Sequence, residues 1–117
     1  MVETLKTATG DLSTSDVGST LINNYGQGAA MTLTLPAAAQ NYSFAVIVST
    51  TGYAIYLKAG TGDKIYLDGT ALDDGDKVGI ASPAVGDMCS FFSFKTGASA
   101  WDWYCCSVKG GWVDSGA

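Results

Sequence analysis

Apolar and polar positions alternate with a period of two along much of this chain. Met31, Leu33 and Leu35 are separated by Thr32 and Thr34. Ile55 and Leu57 flank Tyr56, and Ile65 and Leu67 flank Tyr66. That spacing puts each aliphatic pair on one face of a strand and the intervening tyrosine on the other. Tyr42, Phe44, Val46 and Val48 share one face while Ala45 and Ile47 occupy the other, which predicts a central strand covered on both sides. Gly60-Thr61-Gly62-Asp63, Asp68-Gly69 and Asp73-Asp74-Gly75-Asp76 separate these runs with residues that turn the chain at low steric cost. Pro36 stops the Met31 strand, and Ala37-Ala38-Ala39 allows at most one helical turn. Short strands also follow at Leu21-Ile22, Lys77–Ile80, Met88–Lys95, Trp101–Val108 and around Trp112-Val113.

These runs predict an all-β fold without substantial helix: an antiparallel, jelly-roll-like β-sandwich of about eight strands. Residues 1–20, rich in Thr, Ser, Gly and Asp, read as a polar N-terminal arm or leading edge strand. Residues 21–117 read as a single sandwich domain, with no linker and no internal repeat of useful fidelity.

The stretches Met88–Lys95 and Trp101–Val108 break the expected pattern. Phe92 and Phe94 lie on one face of the first and Cys89 and Phe91 on the other. Trp101, Trp103 and Cys105 lie on one face of the second, with Tyr104, Cys106 and Val108 opposite. A hairpin that is apolar on both faces needs two covers, and in a small sandwich the second is most simply another subunit. Phe91, Trp101, Trp103, Tyr104, Tyr56 and Tyr66 are therefore the candidate oligomer-interface residues.

Only 15% of the 117 residues are charged while 47% are apolar, so the surface is made of small polar and aromatic residues or of contacts with other subunits. Net charge is −5, and six isolated lysines are the only cations. Without clustered Lys or Arg to neutralise phosphates, a nucleic-acid partner is not expected. No apolar run approaches a membrane span and the first residues lack a hydrophobic leader core, which places synthesis and folding in a cytosol.

The chain has no histidine, which removes imidazole from acid–base, nucleophilic and metal-binding roles. Cys89, Cys105 and Cys106 are an odd set without zinc or redox spacing, and are expected as free thiols packed like small hydrophobes. The turn carboxylates are solvated rather than held as a catalytic pair. Asp73, Asp74 and Asp76 form a weak calcium candidate that lacks the alternating ligands and terminal Glu of a helical-hand loop. No cofactor is expected. Trp101, Trp103 and Trp112 offer an alternative role, because sugar rings stack on exposed aromatic faces.

The order of several turn motifs carries a resemblance. Asp16-Val17-Gly18-Ser19-Thr20 leads to Leu21-Ile22-Asn23-Asn24, followed by Leu33-Thr34-Leu35-Pro36-Ala37-Ala38. Tyr42-Ser43-Phe44, Gly62-Asp63-Lys64-Ile65 and Gly86-Asp87 come next, and Trp103 and Gly110-Gly111-Trp112 close the series. Over about residues 11–115 the chain resembles a small β-sandwich module of tailed-bacteriophage virion proteins, found in head decoration proteins, head fibres and tail fibre or appendage domains. The doubled Cys105-Cys106 and the aromatic stretch from Trp101 to Tyr104 depart from it. The resemblance implies a non-enzymatic virion protein, a homotrimer that decorates or stabilises a particle through capsid or tail partners. The alternative is a carbohydrate- or receptor-binding module at a fibre tip.

Overall fold

The computed structural model describes residues 1–117 as two packed β-sheets. The strands are β1 (Val2–Leu5), β2 (Gly10–Asp11), β3 (Gly18–Asn23), β4 (Met31–Thr34), β5 (Ser43–Ile47) and β6 (Ile55–Lys58). They continue as β7 (Ile65–Leu67), β8 (Thr70–Ala71), β9 (Lys77–Ile80), β10 (Met88–Gly97), β11 (Ala100–Lys109) and β12 (Val113–Asp114). The larger sheet has the order β1-β3-β5-β10-β11-β7-β8 and the smaller β12-β9-β6-β4-β2. One 3-10 turn, Ser15–Val17, is the only helical element.

The two-sheet, all-β architecture agrees with the alternation, but an antiparallel jelly-roll does not describe it. Five pairings are parallel: β1 with β3, β3 with β5, β2 with β4, β4 with β6, and β7 with β11. From β1 to β6 the chain crosses from one sheet to the other at every step, so each strand lies parallel to the strand two before it. Leu21 pairs with Ala45, Ile22 with Val46 and, across the sandwich, Leu33 with Leu57, each 24 residues apart. This segment is a stack of solenoid-like coils, a repeat the sequence does not show because the register is kept by backbone pairing while side-chain identity drifts. Parallel neighbours need a long crossover. Here a strand of the opposite sheet supplies it, in place of a helix.

The corners between coils depend on local chemistry. Gly26 and Gly52 turn the chain after β3 and after β5 with φ of 92° and 95°, a region costly for residues with a Cβ. Asn24, fully buried at the first corner, joins the two coils. Its Oδ1 accepts the Ser49 and Thr50 N–H groups at 2.7 and 3.1 Å, and its Nδ2 donates to Thr50 O and Gln27 Oε1 at 2.7 and 2.8 Å. Gln27, also buried, donates through Nε2 to Ala29 O and Ala54 O. Buried amides with every polar atom paired stabilise one corner geometry over others.

After β6 the chain changes mode. β9 runs antiparallel to β6, β10 antiparallel to β5, and β10 and β11 form a long hairpin. The core runs between the sheets along the stack, from Leu12, Leu35 and Ala59 through Ile22, Val46, Leu33 and Leu57 to Cys89, Phe91, Trp103 and Cys105. Its aromatic centre is Phe44, stacked on Phe91 at 4.9 Å and met edge-on by Trp103 at 5.8 Å.

Residues 1–20 are less an arm than the terminal coil of the stack. β1 and β2 form the edges of the two sheets, and Leu12, Val17 and Thr20 are already buried. No side chain before Leu12 is buried, so residues 1–10 contribute mainly ladder hydrogen bonds and a few polar pairs. Deleting residues 1–10 is expected to leave a cooperatively folded protein weakened by roughly 1–3 kcal/mol. Loss of a cooperative urea transition would instead make the first coil part of the folding core.

One polar pair there sets an acid response. Asp16, the middle residue of the 3-10 turn, is partly withdrawn from water, which pushes its carboxyl upward. The Ser13 N–H at 2.9 Å, the Lys6 ammonium at 3.1 Å and the Ser13 hydroxyl outweigh this and hold it below the ordinary value. A depressed native pKa contributes stability above the unfolded value and loses it as pH falls through the native one. Asp16→Asn is therefore expected to cost up to about 1 kcal/mol at pH 7 and to flatten the fall in stability below pH ~4. Urea midpoints at pH 7 and pH 3 check both.

Candidate interaction surface

The long hairpin sorts its residues cleanly between two faces. Cys89, Phe91, Trp103 and Cys105 point into the core, and Trp103 has no exposed surface. Ser90, Phe92 and Phe94 on β10, and Tyr104, Cys106 and Val108 on β11, point outward from the seven-stranded sheet. Tyr66 joins them from β7, where it pairs with Tyr104.

Four rings form a ladder across three strands. Phe92 and Tyr104, direct cross-strand partners, stack at 5.1 Å with 16° between planes. Phe94 meets Tyr104 edge-on at 6.2 Å and Tyr66 edge-on at 5.1 Å. Such cross-strand aromatic pairs each contribute about 0.5–1 kcal/mol and hold the rings in fixed positions. Phe92 keeps 44% of its surface in water and Val108 56%, with Cys106 exposed between Tyr104 and Val108 on the same strand. Half-buried Met88, Ile47 and Leu21 extend the apolar surface across β5 to β3. Ala45 is buried on this side although it faces away from the core, while Ile47 on the same face is only half-buried, so this strand is central in its sheet but covered by the second sheet on one face only. Charged side chains stay at the margins: Glu3 on β1, and Asp102, which accepts the Lys64 N–H and the Thr96 hydroxyl.

The structure separates the six candidate interface residues. Phe91 and Trp103 are core residues with no face to give a partner. Trp101, opposite Lys95 at the end of the hairpin, is half-buried on the core-facing side. Tyr104 and Tyr66 share the outer aromatic face. Tyr56 lies on the outer face of the other sheet, with the Lys77 ammonium 5.4 Å from its ring centre, and cannot join them. The glycan-binding set is also divided: Trp103 and Trp112 are buried, and Trp112 donates its indole N–H to Lys109 O at 2.9 Å. Only Trp101 retains partial access.

The outer residues Phe92, Phe94, Cys106 and Val108 were missed as site residues because tryptophan drew attention to the wrong face. Residue type alone does not separate the faces, since phenylalanine, cysteine and serine stand on both: Phe91, Cys89 and Ser93 inward, Phe92, Cys106 and Ser90 outward.

Asp73, Asp74 and Asp76 do not converge, and no group of three acidic, cysteine or histidine side chains is placed to hold a metal ion. Asp74 instead accepts the Gly62 N–H, and Asp76 is buried. Nearby Asp63 is raised above the ordinary carboxyl value by burial, against the Ala38 N–H that it accepts, with Asp102 and Asp74 adding repulsion. All three cysteines are free thiols. Cys89 is pushed well above the usual thiol value by burial and by its contact with Cys105, so both core thiols are packing residues. Cys106, expected to be buried, is exposed.

No protein family, curated protein or solved structure was found to match this chain. Its role is therefore argued from its own surface.

Proposed function

We propose that this chain is a non-enzymatic structural protein of a bacteriophage virion, a capsid decoration or fibre protein that works by being attached. The observation that carries the reading is the broad, rigid, uncharged aromatic face of the seven-stranded sheet. A sheet surface with pre-ordered rings suits extended contact with another protein chain, a second copy of this one included, since little side-chain freedom is left to lose on binding. The order of turn motifs, which resembles that of phage virion modules, supports this class of particle and a trimeric state. Exposed turn carboxylates such as Asp73 and Asp74 would then face solvent and keep the decorated particle soluble.

The carbohydrate-binding alternative is weakened by the burial of Trp103 and Trp112, which leaves no pair of exposed tryptophans to grip a sugar ring.

Density-gradient-purified particles of the phage that encodes the chain provide the test. Peptide mass spectrometry is expected to find it at many copies per particle, with antibody labelling on the particle exterior. Its presence in the infected cell but absence from purified particles would overturn the reading.

A further inference from the structure

Resting on that attachment reading, we propose that the outer face of the seven-stranded sheet mates with a second copy of this chain, leaving contact with the particle to other surfaces. The first argument is area. With Phe92 and Val108 about half exposed and Phe94, Tyr104, Tyr66, Met88, Ile47 and Leu21 half-buried, the patch offers on the order of 500 Å² of apolar surface, near the top of the range for a monomer. A stable interface needs about 800 Å² per partner. The apolar patch supplies more than half of that, and its border of Ser43, Ser90 and Asn23 adds to it.

The second argument is charge. The chain carries −5, and two copies repel unless they meet where charge is absent. The centre of this face, from Leu21 across Ala45, Ser90 and Phe92 to Tyr104 and Cys106, holds no ionisable carboxylate or ammonium. Partners of opposite charge would be drawn to the acidic turns instead. A contact rich in aromatic residues and Met, and empty of Lys, Glu and Asp at its centre, has the composition of a contact between identical subunits.

Cys106 provides a reporter, being the only exposed thiol and lying within the patch. Native mass spectrometry at about 10 μM should show an assembled wild type, and Phe92→Lys or Val108→Lys should weaken assembly by at least about a hundredfold, because each buries an unpaired charge. Both positions are exposed in the single chain, so far-UV circular dichroism should be unchanged, and the unfolding midpoint should fall only by the lost assembly and, for Phe92→Lys, by the lost stacking on Tyr104. Reaction of Cys106 with an aromatic disulfide reagent should be slow in the wild type and about tenfold faster in the lysine variants. Val113→Lys, exposed on β12 at the edge of the five-stranded sheet, should remain assembled. An oligomer that survives both lysine substitutions, or one that Val113→Lys disrupts equally, would overturn this assignment without touching the virion reading. A wild-type monomer with freely reactive Cys106 would also overturn it, and presence on purified particles would still decide the function.

Discussion

Trp103→Ala is expected to destabilise the protein by about 3–5 kcal/mol, the range for removing a large aromatic from a packed core. Trp103 is wholly buried on β11, edge-on to Phe44 and stacked at 6.1 Å on Tyr42. Its indole N–H donates to Pro36 O at 3.3 Å, tying the hairpin to the loop that follows β4. Truncation opens a cavity beneath three elements and strands that carbonyl. For a domain of this size the loss corresponds to a fall in Tm of roughly 15 °C. Trp103→Phe keeps part of the ring volume but not the hydrogen bond, and should lose less than half as much. Urea titrations of the three proteins check the order. A loss below about 1 kcal/mol for the alanine variant would mean the core closes over the gap, contrary to close packing.

Asn24→Ala is expected to cost about 3–4 kcal/mol although it removes only one small polar group. It leaves two N–H groups, one backbone carbonyl and the Gln27 amide oxygen without their partner at a buried corner. Each unmet buried group costs on the order of 1 kcal/mol or more. Asn24→Asp separates the two halves of the role. It keeps the acceptor for Ser49 and Thr50 but turns an oxygen toward the Thr50 and Gln27 oxygens, so its carboxyl should be raised in the native state. A raised native pKa gives stability that is present at low pH and lost as pH rises through it. Asn24→Asp should therefore recover toward wild type on acidification while Asn24→Ala does not. Parallel pH dependence in the two variants would show that the corner is held by packing alone.

Both predictions concern features that were unequally legible along the chain. The alternation at Met31–Leu35, Ile55–Leu57 and Ile65–Leu67 revealed strand positions and inward faces, because a two-residue side-chain period is a local property of extended backbone. Tyr42–Val48 was legible as a central strand for the same reason, although only one of its faces is covered by the second sheet. The candidate surface was half legible. The hairpin shows that two apolar faces exist, but spacing alone does not tell which is inward: Trp103 and Phe91 lie in the core, and Phe92, Phe94 and Val108 lie outside.

What the sequence by itself determined is the all-β class, the strand positions, the turns, the lack of histidine chemistry and the excess of apolar surface on the last hairpin. Each follows from residue identity and spacing within a few positions. Only the tertiary structure decided the parallel coil from β1 to β6, the inward face of β10 and β11, and the separation of Tyr56 from Tyr66 on opposite sides of the molecule. Strand direction and partner choice in that coil depend on contacts 18 residues and more apart, and an alternating strand satisfies parallel and antiparallel neighbours equally well. The core then took the face bearing Trp103 and Phe91, because those rings close on Phe44, and left the Phe92–Tyr104 ladder outside.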